Sequence, residues 1–83
     1  MSTLDKMLDS GICFLMGTLY EMGDKTTGYD TMTFTLFSDV LTLTRDDRGV
    51  IKANLTLIDK LMNKREYTYC FQGLVDFKKH CVY

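Results

Sequence analysis

The chain has 83 residues, of which 46% are hydrophobic and 12% aromatic, and it contains no proline. This length fits one domain with a single core, and the composition excludes the disordered class of proteins. Ten basic and eleven acidic side chains give a formal charge of −1, without the basic excess of a protein that neutralises many phosphates. We therefore expect a single domain, residues 1–83, that folds alone or as a small homo-oligomer.

Cysteine usage and hydropathy predict the compartment. Cys13, Cys70 and Cys81 form neither a CxxC motif nor an even-numbered disulfide framework, which favours a reducing, cytoplasmic location. The apolar run at 12–16 is too short to cross a bilayer, and it follows acidic residues where a signal peptide would be basic. No membrane association is expected.

The N-terminal third predicts one long helix. Apolar residues share one arc of a helical projection over 3–22, at positions 4, 7, 8, 12, 15, 19 and 22, and Gly23 is a suitable stop. Gly11 and Gly17 weaken this helix, so a short helix over 3–9 followed by a strand over 12–20 is the alternative. The polar residues 24–30 are predicted to form a loop.

The next segments alternate with the period of half-buried strands, over about 31–37 and 40–45. Ser38 and Asp39 between them predict either a tight hairpin or one long strand with a bulge. Asp46 and Gly49 stand where a type I turn followed by a glycine bulge requires them. This turn predicts a returning strand over about 50–53.

The last third predicts helix, strand and helix. Asn54 can cap a helix over about 55–64, although alternation at 51, 53, 55 and 57 would instead lengthen the preceding strand. A strand over about 66–71 and a helix over about 74–81 follow. The predicted fold class is α+β, with an antiparallel sheet of three to four strands packed by helices.

An aromatic strand is the first candidate site. Tyr67, Tyr69 and Phe71 share one strand face, beside the cations Lys64 and Arg65. Aromatic side chains next to cations can stack the bases of a single-stranded nucleic acid, but the same residues can also face the core. The charge balance disfavours nucleic acid, so these five residues are predicted as a protein-binding site.

Thiol chemistry and metal binding have weaker signals. Cys70 or Cys81 with His80 and Asp76 supplies the residue types of a nucleophile, a base and an orienting acid. His80 and Cys81 are neighbours, however, and point about 100° apart on a helix. Asp46 and Asp47 lack the ligand spacing of a calcium loop. We expect no catalytic residues, no cofactor and no metal.

The apolar content favours protein binding. Six methionines and ten aromatic residues are more bulk than a small core readily holds, so some should form an exposed apolar patch. A strand edge at 31–35 or 66–71 could also recruit a partner. The expected function is a non-enzymatic protein-binding module, a stoichiometric modulator or inhibitor of the kind that viral, phage or mobile-element genes encode. The alternatives are a single-stranded nucleic-acid-binding module and a cysteine-dependent enzyme.

Overall fold

Five consecutive strands pair antiparallel in the order in which they follow along the chain. The computed structural model describes residues 10–82. Helix α1 is followed by the five strands β1 to β5 and then by helix α2, and neither helix has the length and apolar character of a membrane span. The bounds are α1 Ser10–Met22, β1 Asp24–Gly28, β2 Thr31–Leu36, β3 Asp39–Arg45, β4 Ile51–Ile58, β5 Lys64–Phe71 and α2 Leu74–Cys81.

The α+β prediction is confirmed, with five strands where three to four were expected. Residues 12–20 are helical, so the strand alternative there is wrong, and the predicted helical residues 3–9 lie outside the described part of the chain. Leu36 pairs with Asp39, which makes the β2–β3 connection a tight hairpin. The helix predicted over 74–81 is confirmed at both ends.

The loop predicted over 24–30 is wrong, because residues 24–28 form strand β1. All five of its residues are exposed and none is apolar, so it has no hydrophobic alternation that sequence periodicity could detect. Its register with β2 runs from Asp24 opposite Thr35 to Gly28 opposite Thr31. Backbone hydrogen bonding to a neighbouring strand, rather than burial, therefore makes this segment a strand.

The helix predicted over 55–64 is also wrong, and Asn54 caps no helix. Leu55 lies in the middle of β4, opposite Leu41 of β3 on one side and Tyr67 of β5 on the other. The alternative of a longer strand is the one observed. A central strand gains two pairing partners and buries every second side chain, which outweighs local helix propensity.

One face of the sheet is buried beneath the two helices. An aromatic group joins the layers: the Tyr20 ring of α1 lies 4.9 Å from Phe34 and 5.5 Å from Phe77 of α2, which in turn meets Phe71 at 5.3 Å. The buried core consists of Cys13, Met16, Leu19, Phe34, Leu41, Leu43, Ile51, Ala53, Leu55, Tyr69, Phe71, Phe77 and Cys81.

The opposite face of the sheet is polar and mostly threonine. The strand registers align one row across all five strands, made of Thr26, Thr33, Thr42, Asn54 and Thr68. Within that row the Asn54 amide nitrogen donates to the Thr68 hydroxyl at 3.2 Å. No side chain of this row is buried in the described chain, so this face does not contribute to the hydrophobic core.

The two helices touch through a residue without a side chain. A Cβ built on Gly17 of α1 would overlap the carbonyl oxygen of Cys81 at the end of α2. By contrast, a Cβ on Gly28 in β1 would have only ordinary contacts, the nearest at 3.9 Å. Glycine at position 17 is therefore required by the approach of α2, because any side chain would push the helices apart.

We predict that Gly17→Ala lowers the free energy of unfolding by about 3 kcal/mol, since the obstacle is backbone that cannot rotate away. Gly28→Ala is the matched control and should change stability by less than about 0.5 kcal/mol. Urea denaturation followed by circular dichroism measures both. Equal effects of the two substitutions would show that the helices do not meet at Gly17.

Candidate functional site

Large apolar side chains are exposed at one end of the sheet. In an antiparallel meander alternate connections lie at the same end, which places the β2–β3 turn beside the β4–β5 loop. The first turn exposes 93% of Phe37, and the loop exposes 81% of Leu61 and 78% of Met62. Met22 is exposed at this end too, since α1 leads directly into β1 opposite Thr35. We call Met22, Phe37, Leu61 and Met62 the apolar end.

The connections that carry these residues are neighbours in the sheet. Leu36 pairs with Asp39, and Ile58 pairs with Lys64, so Phe37 lies just outside β2 and Met62 just outside β5. Two strand spacings separate the centres of the two hairpins, which is about 10 Å. The apolar end is therefore small enough for a single partner to contact, with Phe37 on one projection and Leu61 and Met62 on the other.

The loop that carries Met62 has the same hydrogen bonds as the turn that carries Gly49. Asp59 N–H donates to the Asn63 carbonyl and Met62 N–H donates to the Asp59 carbonyl, as Asp46 N–H does to Val50 and Gly49 N–H does to Asp46. Each turn has one residue in the left-handed region, Gly49 with φ 83° and Met62 with φ 65°. Met62 therefore occupies the position that glycine takes in the other turn.

Phe37 in the β2–β3 turn is a second large residue at a turn position that usually holds glycine. Its φ is 56°, a left-handed conformation that is rare for a large side chain and costs roughly 1–2 kcal/mol. Glycine or asparagine is the usual residue at such a turn position. Asp30 in the β1–β2 turn is the third non-glycine residue with a positive φ, and aspartate is a type that tolerates this conformation. Folding alone does not explain a fully exposed phenylalanine or methionine in left-handed backbone.

The carboxylate of Asp59 organises the loop that presents Leu61 and Met62. One oxygen accepts hydrogen bonds from the Leu61 N–H at 2.9 Å and the Asn63 N–H at 2.8 Å, and the other accepts from the Asn63 amide at 3.2 Å. The bond from the Asn63 backbone is the main cause that lowers the pKa of Asp59 below its ordinary value. An ionised Asp59 thus holds the loop in one conformation.

Polar and charged residues surround the apolar end. Ser38, Asp59, Lys60 and Asn63 belong to the same two connections, and Lys64 forms an ion pair with Glu66 at 3.4 Å. An apolar centre with a polar rim is the usual anatomy of a protein–protein contact. The mixed charges of the rim do not form the cationic surface that a phosphate backbone requires.

The residues predicted as a partner site are divided between core and surface. Tyr69 and Phe71 are 4% and 2% exposed beneath the helices, and Tyr67 is half-buried beside them. Lys64 and Arg65 are exposed, but as neighbours in β5 they point to opposite faces of the sheet. The structure therefore does not bring the five residues together on one surface, and their role in binding stays a prediction.

Of the two segments predicted as unpaired strand edges, one lies inside the sheet and the other lies at its edge. Residues 31–35 lie in β2, which pairs with β1 and β3, so an edge there is wrong. β5 does lie at one edge of the described sheet, and β1 at the other. Within residues 10–82 the exposed face of the sheet carries threonine rather than the row of aromatic rings on which single-stranded nucleic acid stacks.

The thiol candidates are also separated. Cys81 is buried, and its burial, followed by a hydrogen bond to Cys13, raises the pKa of the Cys81 thiol far above its ordinary range. The Asp76 carboxylate accepts from the Gln72 N–H at 3.1 Å and pairs with His80 at 3.2 Å, both on the surface of α2. Cys70 is exposed on the opposite, threonine-rich face. Among residues 10–82 no cluster of metal-ligating side chains occurs.

A surface cavity of about 530 Å³ opens at the other end of the sheet. Apolar side chains of Met32, Leu43, Ile51 and Leu74 contribute to its lining. The charged residues of the lining, Arg45 and Asp30, are paired with each other at 2.8 Å. The cavity therefore lacks an uncommitted charge with which to orient a ligand, and we do not assign it a function.

Sequence reasoning missed Phe37, Leu61 and Met62. Phe37 breaks the alternation of β2, because it follows the core-facing Leu36 directly and so cannot share its face. This break in the alternation is the sequence feature that could have indicated that Phe37 is exposed. Leu61 and Met62 were assigned to the core-facing arc of a helix that does not form, so their exposure could be recognised only once β4 and β5 were known.

We predict that Met62→Gly leaves the free energy of unfolding unchanged or raises it by up to about 1 kcal/mol, because glycine adopts the left-handed conformation without steric cost. Gly49→Ala is the matched change in the equivalent turn and should lower stability by about 1 kcal/mol. Chemical denaturation gives both values. Destabilisation by Met62→Gly would show that Met62 contributes to folding through its side chain.

We also predict an acid-sensitive loop. Because the pKa of folded Asp59 lies below the ordinary 3.8, its stabilising bonds are fully present above that pH and are lost as pH falls through the lower, folded value. The amide proton shifts of Leu61 and Asn63 should titrate together in that acid range. Asp59→Ala should abolish this titration, whereas Asp47→Ala in the other turn should leave it intact. Shifts that do not change with acid would contradict the assigned role.

Comparison with known proteins leaves the site to be interpreted from its own geometry. No protein-family model, no curated protein and no solved structure matches the chain. What distinguishes the site is the coincidence of three features: exposed apolar side chains, left-handed backbone beneath two of them, and a common position at one end of the sheet. These features make the apolar end the candidate functional site.

Proposed function

We propose that the protein is a non-enzymatic protein-binding module that contacts a larger protein through the apolar end and modulates it stoichiometrically. The observation that carries the proposal is the placement of Phe37 and Met62 in left-handed turn positions with their side chains in solvent. Strained and exposed apolar residues are retained where function requires them. Contact with an apolar surface is the function that such side chains serve.

The shape of the apolar end indicates the kind of partner surface. Two neighbouring turns project beyond the strands, so the surface is convex and complements a concave apolar site. Aromatic side chains that enter such a site often account for most of the binding energy. A cleft of a larger protein would be occupied by Phe37 together with Leu61 and Met62. Occupation of a functional cleft is how a small domain of this kind would inhibit or modulate its target.

The arrangement of reactive groups supports a non-enzymatic role. The buried thiol of Cys81 has a raised pKa and so little thiolate, whereas cysteine catalysis needs an accessible thiolate. His80 is engaged by Asp76 on the surface of α2, and Cys70 lies on the other face of the sheet. A module of the viral, phage or mobile-element type acts by such binding, and its partner would be an intracellular protein.

The proposal predicts that Phe37→Ser combined with Met62→Ser weakens partner binding by at least tenfold, with no loss of fold, because both side chains are exposed. Tyr29→Ser is the matched control: Tyr29 is 94% exposed in a turn at the opposite end of the sheet. The immobilised full chain and its variants would be incubated with lysate of the native host at low and high salt. Bound protein and nucleic acid would both be identified.

The expected result is one near-stoichiometric protein that resists high salt, bound by the wild-type chain and by Tyr29→Ser but lost from the double variant. Equal retention by the double variant would contradict the assigned site. Nucleic acid that elutes as salt rises would contradict protein binding altogether, because salt sensitivity is the mark of phosphate contacts. Circular dichroism of each variant confirms that its fold is unchanged.

A further inference from the structure

Two buried thiols meet where the helices touch. Cys13 of α1 and Cys81 of α2 are 6% and 1% exposed within the same core cluster, and Cys13 lies close enough to Cys81 to contribute to the raised pKa of the Cys81 thiol. Gly17 follows Cys13 by one helical turn and so lies on the same face of α1, where it packs against the Cys81 carbonyl. The backbones of the two helices thus approach closely near Cys13 and Cys81.

We propose that Cys13 and Cys81 are a disulfide-forming pair that links α1 to α2 when the protein meets an oxidant of the low-molecular-weight disulfide class. A disulfide requires Cα atoms roughly 4.4–6.8 Å apart, so cysteines on two helices can form one only where the helix backbones approach closely, as α1 and α2 do at Gly17 and Cys81. Cys13 lies one helical turn from Gly17, so side-chain rotation and a small approach would bring the two sulfurs to the bond length of about 2.05 Å.

Oxidised glutathione is a suitable oxidant, because one molecule accepts the two electrons that disulfide formation releases. One cysteine thiolate attacks a glutathione sulfur, forming a mixed disulfide and releasing one glutathione thiol, and the second cysteine then attacks the protein sulfur and releases the other. Two cysteine protons transfer to the two departing glutathione thiolates. The cysteines are oxidised by two electrons, and glutathione disulfide is reduced by the same two.

Burial limits this reaction to transient opening of the helix end. Cys81 is the last residue of an eight-residue helix, and helix ends open locally far more often than the whole domain unfolds. Burial also disfavours the Cys81 thiolate in the closed state. Cys70 provides an internal comparison, because it is exposed on the opposite face of the sheet and cannot reach either partner.

The test uses the full chain carrying Cys70→Ser, which removes only the exposed thiol. After equilibration in glutathione buffer of increasing oxidised fraction, the expected product is a monomer lighter by two hydrogen atoms. Tryptic digestion should then link the peptide 7–25, which contains Cys13, to the peptide 80–83, which contains Cys81. The midpoint of thermal unfolding should rise by about 10 °C or more, because the bond closes a long loop.

Reduction with dithiothreitol should restore both the mass and the unfolding midpoint, and Cys13→Ala in the same background should block both changes. The proposal is overturned if both thiols stay reduced, if they retain glutathione, or if they link separate chains. Cys70→Ser alters an exposed residue, so its fold, checked by circular dichroism, should match that of the wild-type chain. The result does not depend on partner binding, and so it is separate from the proposed function.

Discussion

Burial of one sheet face beneath two helices is the constraint on which the rest of the structure depends. The core face of β2 to β5 supplies most of the buried side chains, and α1 and α2 supply the others from above. The helices cover this face only because Gly17 lets them approach to backbone contact at Cys81. That contact positions Tyr20 and Phe77, whose rings join the helices to Phe34 and Phe71.

The same constraint decides where apolar side chains cannot be buried. The helices cover one face of the sheet, and threonine and asparagine fill the middle row of the other, so apolar residues in the turns have no interior to enter. Two of the four connections between strands use residues suited to their geometry, Asp30 and Gly49. The β2–β3 and β4–β5 connections instead use Phe37 and Met62. Folding alone does not account for these two residues, which is why we propose a binding role for the apolar end.

Sequence patterns predicted the elements that have clear hydrophobic periodicity or clear turn residues. The strand at 31–36, the turn from Asp46 to Gly49 and helix α2 follow from local periodicity and turn chemistry. The two wrong predictions, a loop in place of β1 and a helix in place of the second half of β4, have one physical origin, which is pairing between strands. Polar β1 is held by backbone bonds to β2, and β4 prefers two strand partners to helical hydrogen bonds. The first preference is not visible in a single segment, and the second appears there only as the alternation at 51, 53, 55 and 57, which competes with a helical pattern.

The candidate site was hidden for the same reason. The sequence predicted an excess of apolar bulk and hence an exposed patch, without a position for it, and it predicted the partner site on the aromatic strand, where Tyr69 and Phe71 prove to be core residues. Which apolar residues are left outside depends on which strands pair. Phe37, Leu61 and Met62 lie at the same end only because alternate connections of the meander are at the same end of the sheet, a property of the topology as a whole.

Binding through the apolar end requires that it be uncovered in the free protein, and solvent paramagnetic relaxation measures this exposure. A soluble paramagnetic agent broadens the proton signals of side chains that reach solvent. The account predicts that signals of Phe37, Leu61 and Met62 broaden as strongly as those of Tyr29, while those of Phe34 and Leu55 are protected. Protection of Phe37, Leu61 and Met62 would contradict it, because these residues would then be covered within the protein or by a second copy.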